Sequence, residues 1–204
     1  MVECNDKNII EYGKWNDFYT TWSTFGLSIA AILQLLLLVV SKSTTKPSVF
    51  LTICKSVVVA FIGNTIAVSI LSQCLYSYNR KAYQTKDHKE CSSISMGVLQ
   101  QALKRNFMWH IVPLVVALVM CAVNLYIDSP KINIGYRLMI NIITISLFMM
   151  AWFSVPSSHG KRGISKINDV YCKPKVWLAA LYIGGLLTSF VLLNLRTFKS
   201  SSKK

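Results

Sequence analysis

Five long apolar stretches run through this chain, and all eight of its Asp and Glu residues lie outside them. An apolar stretch of about 18 residues or more is long enough to cross the hydrocarbon core of a bilayer, which is roughly 30 Å thick. A segment in that core has to satisfy its own backbone hydrogen bonds, so each span is expected to be a helix. The predicted spans cover residues 25–40, 49–71, 107–127, 134–153 and 176–195.

The predicted fold class is all-α: a polytopic membrane protein, with a bundle of about five transmembrane helices and one short interfacial helix. The chain has 204 residues, 53% of them hydrophobic, and the spans leave no segment long enough for a separate soluble domain. We therefore expect one membrane domain over residues 1–204.

The segments between and after the spans are polar. Apolar residues recur at helical spacing over residues 94–106, which predicts a short interfacial helix. The same pattern also fits the frayed start of the third span. The polar tail, residues 197–204, is expected to be disordered.

The polar N-terminal segment does not have the pattern of a cleaved signal peptide. It carries acidic residues and lacks a short apolar run before a small-residue cleavage site. The first span is therefore expected to act as an uncleaved signal anchor. Trp15, Phe18, Tyr19 and Trp22 precede this span and are predicted to form an interfacial aromatic belt.

The net charge of +14 gives the expected orientation. Such a charge in a soluble protein suggests nucleic acid, but flanking Lys and Arg in a membrane protein contact anionic headgroups. We therefore expect membrane lipids as partners and no nucleic acid. Most of the basic residues fall on the side that holds the N-terminus and the second and fourth loops, which favours a cytosolic N-terminus. The predicted location is the endoplasmic reticulum membrane.

Four cysteines are predicted to lie on this same side: Cys4, Cys74, Cys91 and Cys172. They can form two disulfides in an oxidising compartment, or stay free thiols in the cytosol. No two of them form a C-x-x-C pair, so the spacing gives no indication of a zinc site. Isolated cysteines of this kind favour free thiols.

Small residues recur four apart in the second and fifth spans, a spacing that lets helix backbones approach closely. The predicted helix-packing residues are Ala60, Gly63, Asn64, Ala67, Gly184, Gly185 and Ser189. One interpretation is packing within the bundle, and the other is a docking face for another integral membrane protein.

Nearly every span also contains one amide side chain: Gln34, Asn64, Asn124, Asn141 and Asn194. Amides in hydrocarbon usually hydrogen-bond across helices, although a row of them can also line a polar path. Lys55 is a formal charge near the start of the second span, and its side chain is expected to reach the nearby membrane surface.

The sequence contains little that indicates an enzyme active site. The three histidines are separated, and no H-E-x-x-H, G-x-S-x-G or C-x-x-C motif is present. The sequence therefore predicts no catalytic residue, no metal site and no cofactor. The basic loops are the remaining candidates for contact with lipid phosphates. The residues predicted for that contact are Arg80, Lys81, Lys104, Arg105, His159, Lys161 and Arg162.

Three functions remain open from the sequence. The first is a non-catalytic accessory subunit or assembly factor for other membrane proteins in the endoplasmic reticulum, favoured by acid-free spans and small-residue helix faces. The second is a lipid-modifying enzyme, or a subunit of one, that binds phosphate headgroups through its basic loops. The third is a small oligomeric channel or transporter, although no internal repeat of the transporter kind is visible.

Overall fold

The computed structural model describes residues 19–43, 49–79, 107–126, 134–156, 160–168 and 174–201. Helices account for 96% of these residues, and none of them forms a strand. Five helices are long and apolar enough to span a membrane. The predicted all-α polytopic fold is therefore confirmed. The predicted interfacial helix, residues 94–106, lies outside the described residues.

The helices follow one another along the chain in a simple order. They are α1 Tyr19–Ser43, α2 Val49–Asn79, α3 Val112–Tyr126, α4 Ile134–Ser154, the short α5 Gly163–Asn168, and α6 Pro174–Ser201. Helix α1 begins six residues before the predicted span, and α2 extends past its predicted end. Helix α6 continues through Ser201, over residues 197–201 that we expected to be disordered, since nothing in that segment breaks a helix.

A π-helical turn, Phe107–Ile111, leads directly into α3. Pro113 explains its position, because proline has no N–H to donate and its ring crowds the carbonyl four residues earlier. The wider π turn accommodates this conflict without ending the helix. The two segments together form the third span, Phe107–Leu125.

The link after α4 differs from the loop that the sequence predicts. Gly160 and Gly163 have φ values of 74° and 60°, the left-handed region that glycine occupies at no steric cost. Helix α5 follows, within a segment that we expected to be an irregular basic loop. Helix α6 then begins at Pro174, because proline suits the first turn of a helix.

Helix α2 forms the centre of the bundle and contacts each of the other four spanning helices. In its most apolar stretch 67% of the residues are buried, against 17% for α4. An apolar cluster joins α1, α2 and α3 through Leu27, Ala30, Val58, Ile62 and Ala117. Packing of this kind, with hydrogen bonds between helices, holds a bundle together in a lipid environment.

A second cluster lies where α1 begins and α4 ends, on the side of the membrane that we call the N-terminal side. Tyr19 and Trp152 are buried there with ring centroids 4.9 Å apart. Phe148 packs edge-on against Phe61 at 5.1 Å, which ties α4 to α2. The side where α1 and α3 end and α4 begins is called the opposite side below.

Candidate functional site

The buried polar groups of the bundle are the candidate site, and the first group of them joins α1 to α2. Tyr19 Oη donates to Asn64 Oδ1 at 3.1 Å, and Asn64 Nδ2 donates to Ser23 Oγ at 3.3 Å. Ser23 Oγ donates to Thr65 Oγ1 at 3.1 Å, and Thr65 Oγ1 donates to the Ser23 carbonyl oxygen at 3.3 Å. We call these four residues the polar layer. Each side chain in it has a partner, as burial away from water requires.

The polar layer corrects one sequence prediction. Tyr19 was expected in an interfacial aromatic belt, but its side chain is only 1% exposed and is directed into the bundle. The reason is that α1 begins at Tyr19, so this residue is part of the helix face that packs on α2. The tertiary pairing of Tyr19 with Asn64, 45 positions apart, has no signal in the local sequence.

The predicted small residues meet where α2 packs against α6. We call this contact the α2–α6 seam; its members are Ala60, Gly63, Asn64, Ala67, Gly184, Gly185 and Ser189. A Cβ atom at Gly63 would lie 2.7 Å from Ser189 N and 2.8 Å from Ser189 Cα. A Cβ at Gly185 would lie 3.1 Å from Asn64 Oδ1. Glycine at these positions permits backbone contact between the two helices.

The seam lies inside the protein. Ala60 and Ser189 are completely buried, and Gly63 and Gly185 are buried as well. Ser189 Oγ donates to the Ala60 carbonyl oxygen across the seam at 3.5 Å. These residues pack α6 onto α2 within the chain, so they do not offer a lipid-facing surface to another protein.

Two further amides lie towards the opposite side of the bundle. Gln34 Nε2 donates to the Met120 carbonyl oxygen at 2.9 Å, which ties α1 to α3. The Oε1 atom of Gln34 and the Oδ1 atom of Asn124, one turn beyond Met120, are buried and have no hydrogen-bond partner in the part of the chain that the structure describes. These amides therefore offer two unused acceptor atoms.

Asn141 on α4 has no hydrogen-bond partner among the described residues at either amide atom, although its side chain is 0% exposed. It shares the inward face of α4 with Ile145, Met149 and Trp152. Both its Oδ1 and its Nδ2 are thus buried with their hydrogen-bonding capacity unused. A buried amide in this state is rare, because burial costs free energy when no partner replaces water.

Lys55 also differs from its prediction. Its side chain is 5% exposed, whereas we expected it to reach the membrane surface. The cause is the central position of α2, where neighbouring helices cover most of the surface. Thr52 and Ser56, near Lys55 on α2, are buried too.

The structure describes only two of the residues predicted to contact lipid phosphates. Lys161 and Arg162 are exposed in the link between α4 and α5. The other predicted members lie outside the described residues: Arg80, Lys81, Lys104, Arg105 and His159. Contact of this group with lipid headgroups therefore stays a prediction.

The described residues include three cysteines. Cys54, Cys74 and Cys121 are free thiols, while Cys4, Cys91 and Cys172 lie outside these ranges. Within the described part of the chain, no three His, Cys, Asp or Glu side chains form a group that could hold a metal ion.

No protein-family model, curated protein or solved structure shows significant similarity to this chain. The class of protein therefore rests on the fold alone. Five apolar helices, with a packed and partly polar interior, define a multi-pass integral membrane protein of the all-α class.

Proposed function

We propose that this chain is a non-catalytic accessory subunit or assembly factor for other integral membrane proteins of the endoplasmic reticulum. The observation that carries the proposal is the outer surface of α3. Only 22% of the most apolar stretch of the third span is buried, so most of this helix faces outward. A helix face that points away from the bundle is available to pack against a helix of another membrane protein.

The outward face of α3 is rich in valine. We call it the valine face; its exposed members are Val112, Val115, Val116, Val119 and Val123. Val112, Val116, Val119 and Val123 recur at steps of four, three and four residues, the spacing of a seam between two helices that cross at a small angle. Valine is β-branched and has one strongly preferred rotamer in a helix, so it loses little side-chain entropy when another helix packs on it.

The interior supports a non-catalytic role. The hydroxyl and amide groups of the polar layer are used in bonds between α1 and α2. The small residues of the α2–α6 seam are used in close helix packing. These contacts stabilise a fixed bundle. The proposed compartment and the cytosolic N-terminus rest on the basic loops and on the predicted signal anchor.

Photocrosslinking in native membranes tests the proposal. A photoreactive amino acid replaces Val119, which is 58% exposed, and the full chain is then purified in a mild detergent. We expect one stoichiometric protein adduct. Ala117, fully buried on the same helix, and Leu147, exposed on α4, serve as controls. A monodisperse monomer without a stoichiometric partner, or equal adducts from all three positions, would contradict the proposal.

A small oligomeric channel or transporter is the second candidate. The buried and unbonded acceptor atoms of Gln34 and Asn124, together with Asn141, favour it, because polar groups without partners can line a path. Solute or ion flux into liposomes that contain the purified protein tests it. Flux no faster than in protein-free liposomes, or flux unchanged by Asn141→Leu, would count against it.

A further inference from the structure

Asn141 and Asn64 are two asparagines buried in one bundle with different partners. Asn64 uses both amide atoms, since it accepts from Tyr19 and donates to Ser23. Asn141 uses neither, although it is at least as deeply buried. The amide of Asn141 thus retains unused donors and an unused acceptor in the bundle interior. A ligand for this position has to both accept and donate hydrogen bonds.

The helix contacts place Asn141 at a definite level of the bundle. Ile145 on α4 meets Gly185 on α6, since a Cβ at Gly185 would lie 3.7 Å from Ile145 Cδ1. Asn141 is one turn from Ile145, and Ser189 is one turn from Gly185. Both steps lead towards the opposite side, because α4 begins there and α6 runs towards it. Asn141 and Ser189 therefore share a level.

The residues at this level are small, and some of them are polar. Ser189 Oγ reaches the Ala60 carbonyl oxygen at 3.5 Å, at the long limit for a hydrogen bond, and keeps lone pairs that can accept. Gly63 lies directly against Ser189, whose backbone fills the place that a Gly63 side chain would occupy. The packing at this level is close, so only a small ligand suits it. No Asp or Glu occurs in any of the five spans, so the site supplies no negative charge for a cation.

We propose that Asn141 binds an ordered water molecule where α2, α4 and α6 meet, with Ser189 as a second contact of that water. Water accepts from Asn141 Nδ2, donates to Asn141 Oδ1 or to Ser189 Oγ, and is the smallest ligand that does both. Buried waters of this kind typically satisfy otherwise unpaired polar groups and make two to four hydrogen bonds. This water links α4 to α6. A direct hydrogen bond between Ser146 Oγ and Tyr182 Oη, at 2.8 Å, also joins these two helices.

Nuclear magnetic resonance of the full chain in detergent micelles tests this site. With asparagine labelled by nitrogen-15, cross-relaxation is measured between water protons and the side-chain amide protons. We expect a water signal at Asn141 and a weaker one or none at Asn64, whose two amide atoms both have partners within the chain. The Asn141 resonance is assigned by its loss in Asn141→Ser. The Ser189→Ala variant should weaken the signal. Equal behaviour of Asn141 and Asn64 would overturn the proposal.

Reactivity towards silver ions gives a second measurement. In a variant whose six native cysteines are replaced, Asn141→Cys is compared with Ile145→Cys, one turn away on the same buried face. We expect Asn141→Cys to react on the order of tenfold faster, because hydrated polar sites are reached by small ions and apolar ones stay dry. Equal rates in folded variants would contradict a hydrated site. The resonance measurement on the unsubstituted asparagine decides the question if either variant fails to fold.

Discussion

Helix α2 is buried along 67% of its most apolar stretch, whereas helix α4 is buried along 17% of its own. Both are long apolar helices, and their composition alone does not separate them. The difference is one of position: α2 contacts every other spanning helix, while α4 lies at the edge with a single inward face. In lipid, such a difference decides which residues specify the fold, because apolar side chains gain little by moving from lipid to protein.

The buried amides of the two helices also differ in their hydrogen bonds. Asn64 on α2 is bonded to α1 through both of its amide atoms and lies against Gly185 on α6. Asn141 on α4 has no side-chain or backbone partner among the described residues. We infer that a network of bonds holds α2 in place and that α4 is held mainly by packing of Ile145, Met149 and Trp152. A hydrogen bond between Ser146 and Tyr182 also joins α4 to α6. The predictions below test this contrast.

The largest effect is expected at the inward face of α4. Trp152→Ala removes a side chain that is 1% exposed and packs on Tyr19 at 4.9 Å. We expect a loss of about 3–5 kcal/mol in the free energy of unfolding, as is typical for a large buried aromatic residue. Unfolding in mixed detergent micelles measures it. Trp109→Ala, at an exposed position, is the control. If the free energy of unfolding falls by a similar small amount in Trp152→Ala and Trp109→Ala, α4 is not held by packing.

The second-largest loss of stability is expected at the α2–α6 seam. Gly63→Ala places a Cβ 2.7 Å from Ser189 N, a contact that neither backbone can relieve without moving. We expect a loss of about 1–3 kcal/mol from overpacking. Gly184→Ala is the matched control, because its Cβ would meet only side-chain atoms at 3.2 Å and 3.5 Å. Thermal unfolding that ranks the two variants in the reverse order would contradict the geometry of the seam.

Replacement of Asn64 and of Asn141 tests the contrast between α2 and α4 directly. Asn64→Leu removes two hydrogen bonds and leaves Tyr19 Oη without its acceptor, so we expect a loss of about 1–2 kcal/mol. Asn141→Leu breaks no bond to a described residue, so its loss should be smaller. The same unfolding assay compares them. Coupling between Asn64→Leu and Tyr19→Phe in a double-mutant cycle identifies the bond itself.

The smallest effect is expected on the outward face of α4. Leu147→Ala truncates a side chain that faces outward, where lipid chains fill the space that it leaves. We expect a change of at most about 0.5 kcal/mol, as for surface substitutions in general. Ile145→Ala, two residues earlier on the inward face, should cost several times more. If Leu147→Ala proves as costly as Ile145→Ala, that face contacts protein in the assay.

Much of the fold followed from the sequence because hydrophobic length is a local property. Each spanning helix corresponds to an apolar stretch that the sequence shows directly. The small residues at positions 63 and 185 were visible through their spacing. The polar layer was not, because a hydroxyl such as that of Ser23 in an apolar helix does not indicate which distant residue it will meet.

The sequence by itself determined that this protein crosses a membrane with five helices free of acidic residues, because the cost of burying charge and unpaired backbone in lipid acts on each segment separately. The tertiary structure alone decided that α2 is central, that Tyr19 and Lys55 are buried, and that Asn141 is buried with no partner among the described residues. Those outcomes depend on which helix faces meet, and that is set by the packing of all five helices together.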